Sequence, residues 1–351
     1  MKLLIFLFLF VIKQQALKAN GKLAPLYGSA EHQDKHNLKP LGILNDQVKL
    51  NLTIVTGSLA KTELVSKYFS SFTFLTIMDQ TEMHLKLQAM AGQFSQVFNT
   101  TFVEYKCPNK FTNHVCYATT SEVYIPDSLH TAIVGILGLE QVLTLHHHLK
   151  VVENSGQKQK PSLSPGQYFL GSQAASVYGV PVSTGAGIKV GIISVGGYFR
   201  QSDLNTFFSY NNLGTAPTIN IVYVDGATQN YADGNSATEN YLDIEIISSV
   251  VPQATITLYL GPNTNQGFYD VFLAALQNNN VVSCSWGLQE YGTTKSYMQT
   301  FQTLFSTYSK VPVFVATGDA GSYATKSSSV GGAGFPASCP NAIGRKYFLI
   351  F

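Results

Sequence analysis

Two hydrophobic patterns divide the chain. Residues 48–55 alternate apolar and polar, with Val48, Leu50, Leu52 and Ile54 on one face, the period of a half-buried strand. Residues 58–70 change to a helical period, with Ser58 placed to cap the first turn. A short apolar segment at 72–77, a strand at 83–87 and a helix at 89–98 follow. Residues 101–107 and 115–125 predict a hairpin, and Pro126-Asp127-Ser128 predicts the cap of a helix running to Leu139. This β-α-β and β-β-α alternation predicts a small ferredoxin-like α+β domain over residues 46–146.

Residues 147–165 interrupt the pattern. Positions 153–165 (ENSGQKQKPSLSP) are polar, with two prolines, and predict a linker in which Lys158 and Lys160 offer processing sites. His146, His147 and His148 precede it; on a helix end, as expected here, adjacent histidines point apart and do not share a metal. After the linker the strands become uniformly apolar. A helix at 165–178 leads to a strand at 188–195 (IKVGIISV), of the kind buried on both faces. Helices at 202–208, around Glu239, at 266–276 and at 296–308 alternate with strands at 219–224, 254–260, 281–286 and 311–316. The pattern predicts an α/β, doubly wound parallel sheet over residues 166–351, with its chemistry at the carboxyl ends of the strands.

Composition narrows the classes. Only 12% of residues are charged and the net charge is +2, which points to neither nucleic acid nor a membrane surface as partner. Residues 1–19 read as a secretory signal: a Lys at position 2, an apolar run over 3–12, and a cleavage site near Ala16 or Ala19. The expectation is a monomer, secreted or held in a lysosome-like compartment. Two sequons, at Asn51 and Asn99, agree with that route but arise often by chance. Of the four cysteines, Cys107 and Cys116 are spaced to close the hairpin loop; Cys284 and Cys339 are either a second bridge or buried thiols.

The candidate chemistry centres on the helix around Glu239. Glu239 and Asp243 are four apart and so share a face, while Leu242, Ile246 and Val250 form an apolar stripe flanked by Ile247. Two neighbouring carboxylates cannot both ionise cheaply, so one holds its proton to higher pH. A solvated helix face with incidental acids explains the spacing as well. Two strand ends add candidates: Ser283-Cys284-Ser285-Trp286-Gly287, and Asp319 between glycines, which an ordinary Asx-turn also explains.

Taken together these segments resemble the sedolisins, or serine-carboxyl peptidases. GIKVGIISVGGYFRQSDLNTFF (187–208) is similar to the opening of the family's catalytic domain, ENYLDIEIISSVVPQATITLY (239–259) to its E-x-x-x-D-I-E helix, and VVSCSWG, VPVFVATGDAGS and FPASCP to three later segments. Residues 123–139 are similar to the end of the family's activation pro-domain. The resemblance implies a subtilisin-like catalytic fold behind a ferredoxin-like pro-domain, polypeptide substrates, an intramolecular pro-domain and an acid optimum. It implies that Glu239 is the base for a serine, Asp243 its partner, and Asp319 a protonated donor to the oxyanion. Ser285, Trp286 and Gly287 would flank the substrate strand.

The chain also departs from the pattern. No Gly-Thr-Ser, the family's nucleophile motif, occurs in it, and the calcium loop that the family carries further on has no counterpart. Residues 345–351 leave the family pattern. Arg345-Lys346-Tyr347 can be encoded with a splice-donor sequence, so a retained intron and an incomplete, inactive peptidase domain are the expectation. Two alternatives remain: a non-catalytic pseudoprotease or pro-domain-type inhibitor, and an unrelated ligand-binding α/β protein, which the absence of a GxGxxG loop after Gly196-Gly197 disfavours.

Overall fold

The computed structural model describes residues 22–30, 39–107, 115–142, 145–147, 170–181, 183–290, 293–319 and 332–345. The expected signal, the linker from 148 onward with Lys158 and Lys160, and residues 346–351 lie outside these. In chain order the first strands and helices are β1 (Leu23–Pro25), β2 (Pro40–Ile43), β3 (Lys49–Val55), α1 (Leu59–Phe69), β4 (Thr76–Gln80), β5 (His84–Met90), α2 (Ala91–Phe98), β6 (Phe102–Tyr105), β7 (Cys116–Thr119), β8 (Tyr124–Pro126), β9 (Gly135–Leu137) and β10 (His146–His147). Then come α3 (Gly171–Val177), β11 (Lys189–Ser194), α4 (Gln201–Tyr210), β12 (Asn220–Tyr223), α5 (Gly234–Val250), β13 (Thr255–Leu260), α6 (Asn265–Asn278) and β14 (Val281–Cys284). The last are β15 (Trp286–Gln289), α7 (Lys295–Thr307), β16 (Val313–Ala316), β17 (Gly334–Phe335) and β18 (Ala342–Arg345).

One unit comprises residues 1–144, 264–266 and 292–307. Its four-stranded sheet has the order β4-β5-β3-β9, antiparallel throughout. With α1 and α2 this is the ferredoxin-like arrangement, and the hairpin β6–β7 is inserted before the last strand. Phe69, Phe94, Phe98 and Phe102 fill the core. The Cys107–Cys116 bridge ties the hairpin. The helix expected from 126 to 139 is absent; only a 3-10 turn, Asp127–Leu129, forms. β-branched Ile133, Val134 and Ile136 favour extended backbone. Gly135 permits a close approach, since a Cβ there would stand 2.7 Å from Thr300 Cγ2 on α7. At the start of the unit β1 pairs with β8. The chain after it is held by one carboxylate: Glu122 accepts from the backbone N–H groups of Gly28 (2.9 Å), Ser29 (2.7 Å) and Ala30 (3.0 Å), and from Ser29 Oγ (2.6 Å).

The second unit comprises residues 145–263, 267–291 and 308–351. Six parallel strands run in the order β12-β13-β11-β14-β16-β18. Both faces are covered. Leu204 and Phe208 of α4 and Ile244 of α5 pack with Val190, Ile192, Ile256 and Leu258. On the other face, a Cβ at Gly191 would meet Ala275 of α6 at 3.3 Å. The sheet is therefore doubly wound, and its topological switch falls between β11 and β14, where ligands of such sheets bind. Three details differ from expectation. Residues 281–286 are not one strand: Ser285 breaks them into β14 and β15. β18 extends the sheet beside β16. His146 and His147 are strand, not helix, pairing antiparallel with Gly287 and Trp286, so backbone hydrogen bonding to an open edge decides their conformation.

Candidate active site

Helix α5 begins at Asp233, whose side chain accepts from Ser236 N at 3.2 Å. Such a cap satisfies one of the donors that a helix start leaves open. The phase of the helix is not the one that its apolar residues suggest. Ile246, in the expected stripe, is 38% exposed, whereas Glu239 is 1% and Asp243 5% exposed. The carboxylate face turns inward, and Ile244 and Ile247 on its flank join the core. The short helix α3 lies against the other side: a Cβ at Gly171 would stand 3.1 Å from Val250 Cγ2.

The loop after β11 fixes the helix. Gly197 has φ +72, and a Cβ there would fall 2.3 Å from the backbone nitrogen of Ala237. Only glycine combines that conformation with that approach. Asn240, beside Glu239, donates to the carbonyls of Gly196 (3.0 Å) and Tyr198 (3.4 Å).

The carboxylates meet the end of β14. Ser285, itself buried, donates its hydroxyl to Asp243 Oδ1 at 2.8 Å. Burial raises the Asp243 pKa to about 7, against a smaller lowering by the Ser285 hydrogen bond. Asp243 is therefore a proton carrier at acid pH. Burial also pushes the Cys284 thiol well up, and the charges of Asp243 and Glu239 push in the same direction, so both acids act on the same strand end. Cys284 Sγ lies 3.3 Å from the carbonyl oxygen of Trp286. It and Cys339 are buried free thiols, which decides between the two options left by the sequence.

The structure thus joins Ser285 to Asp243 by a hydrogen bond and buries Glu239 one turn away on the same helix. Trp286 is buried in β15, and Gly287 follows it. Their edge is paired with β10 on one side, and β15 pairs with β17 through Leu288 and Gln289 on the other. Asp319 is exposed just after β16, the strand beside β14. Sequence reasoning missed Asp270, a carboxylate only 3% exposed on α6. The signal was available: it is a lone acid inside the apolar run FYDVFLAAL. It also missed that Cys284 would lie against the acids. Among the described residues no group of three or more His, Cys, Asp or Glu side chains could hold a metal ion. No helix among them is long and apolar enough to cross a membrane.

Residues 54–142 match the family model of the pro-kumamolisin activation domain. Kumamolisin of Bacillus sp. (strain MN-32) is 29% identical over 232 residues, 62% of this chain and 42% of that protein. Sedolisin of Pseudomonas sp. (strain 101) is 27% identical over 278 residues, 72% of this chain and 45% of that protein. The chain therefore spans less than half the length of these curated relatives. A solved structure of Pseudomonas sedolisin (serine-carboxyl proteinase), complexed with two molecules of pseudo-iodotyrostatin, aligns over 50% of this chain and 52% of that one, at 24% identity and a TM-score of 0.43, a likeness too loose to place any residue.

Proposed function

With the sedolisin family as the one that the activation-domain match and both curated relatives support, we propose that this chain carries the pro-domain and the acid/base half of a secreted or lumenal peptidase that acts at acid pH. Its substrates are polypeptides. Glu239 is the general base that takes the proton of a serine hydroxyl. Asp243, protonated at acid pH, donates to Glu239 and holds its rotamer. Asp319, also protonated there, donates a hydrogen bond to the oxyanion of the tetrahedral intermediate. The edge of Ser285, Trp286 and Gly287 receives the substrate backbone as an added strand.

The observation that carries this reading is the burial of Glu239 and Asp243 one turn apart on α5, with Asp243 held protonated up to about pH 7. A pair that shares a proton is a usable base where a histidine is already charged. The pairing of β10 with the 286–287 edge fits a zymogen whose own chain lies where a substrate strand would lie.

The 351 residues contain no Gly-Thr-Ser, and a base without a nucleophile has nothing to activate. The purified chain is therefore expected not to cleave peptides at about pH 4. A longer product of the same gene that carries such a serine is expected to cleave them, and to lose at least ~100-fold in kcat on Glu239→Gln. Full activity of that variant overturns the reading.

A further inference from the structure

We propose that Ser285 is a positioning residue for the carboxylate pair: its hydroxyl, donated to Asp243 Oδ1, fixes which oxygen of Asp243 accepts and leaves Oδ2 to carry the proton shared with Glu239. The assignment rests on the reading of Glu239 and Asp243 as base and partner, and it gives Ser285 a task beyond lending its backbone to a substrate strand.

The geometry is specific. Ser285 sits where the chain leaves the parallel sheet, between the end of β14 and the start of β15. The two strands belong to different sheets, and Ser285 is the single residue between them. Its oxygen stands 2.8 Å from Asp243 Oδ1, and both residues are buried, Ser285 at 3% exposure. In such surroundings a hydroxyl donor is not replaced by bulk water when it is removed. A carboxyl with one oxygen already engaged as acceptor has one place left for its proton. Asp243 lies one helical turn from Glu239 on the same face, so choosing the protonated oxygen also chooses the direction in which the proton is presented. Among the described residues the other titratable groups tied to this strand end are Glu239 and the Cys284 thiol, which burial keeps neutral and which is a weak donor at best. Burial holds the Asp243 pKa at about 7 despite the Ser285 bond, which lowers it.

The test is a titration of the Asp243 carboxyl by carbon NMR in the purified 351-residue chain, with Asp243→Asn to assign the signal. Removing the hydroxyl in Ser285→Ala is expected to raise the midpoint by about one pH unit, the size that loss of a hydrogen bond to a charged group implies. Ser285→Thr keeps a hydroxyl and is expected to restore the wild-type midpoint. A Ser285→Ala midpoint equal to wild type overturns the proposal, and so does a Ser285→Thr midpoint displaced as far as that of Ser285→Ala. Should Ser285→Ala lose its native near-ultraviolet circular dichroism, Ser285→Cys, with a much weaker donor of similar size, takes its place under the same two criteria. No peptide is cleaved in this experiment. Its failure therefore leaves the peptidase reading standing, and failure of the peptidase assay leaves the hydrogen bond to be judged alone.

Discussion

The two units solve the problem of a core in opposite ways. The ferredoxin-like unit packs phenylalanines, and one of its carboxylates, Glu122, is used to hold residues 28–30. The parallel-sheet unit buries acids. Among the described residues the buried carboxylates, Glu239, Asp243 and Asp270, all belong to it. A core of aromatic rings gains stability from every contact. A core that encloses carboxyl groups gives some of that stability away, because each must lose its charge or its hydration.

The sharpest way to break this comparison is to cut the apolar core. Phe98 is fully buried, with ring neighbours Phe69 at 5.9 Å and Phe94 at 6.0 Å. Phe98→Ala is expected to cost about 3–5 kcal/mol, and the same amount at pH 4 and at pH 7. Urea unfolding at both values measures it, and a cost that changes with pH shows that this unit has no purely apolar core.

The second prediction concerns acidity. Burial raises the Asp243 pKa from 3.8 to about 7, so the folded chain holds that proton more tightly than the unfolded one. The stabilisation is complete below about pH 4 and is lost as pH rises through about 7. Glu245 adds to the same trend: partial burial, then the charge of Asp203, raise its pKa to about 7. The thermal midpoint is expected to fall by a few degrees across that window, and Asp243→Asn to flatten the fall. A midpoint that rises with pH in the variant and wild type alike would remove the contrast between the units.

The smallest effect concerns sulfur. Cys107 and Cys116 are bridged in one unit, whereas Cys284 and Cys339 in the other are buried thiols, the latter pushed up to about 12 by burial and then by the charge of Glu290. A soluble thiol reagent is expected to label neither until the chain unfolds. Labelling of Cys284 in the native chain would mean that the strand end beside the acids is open.

Much of this was legible in residue order. Period-two runs located β3 and β5, the continuous run at 188–195 located β11, and the spacing of Cys107 and Cys116 gave the bridge. What failed has one cause: local pattern cannot see which partner a segment will find. Residues 126–139 look helical until β3 offers an edge to Ile136. His146 and His147 have no strand pattern of their own and are extended because Gly287 and Trp286 pair with them. On α5 the stripe of Leu242, Ile246 and Val250 pointed to the wrong buried face: Ile246 stays exposed, while Asp243 turns to Ser285 at the end of β14. The spacing of Glu239 and Asp243 was visible from the start; their burial came only with the fold.

The glycine turn after β11 has a mechanical consequence. Its backbone lies against the backbone of Ala237, with no side chain between them to yield. It acts as a stop: α5 can neither slide forward nor roll without main chain striking main chain. The bearing of the two buried acids is thus set by a residue that has no side chain, and widening the turn by one methyl group would re-aim them both at once.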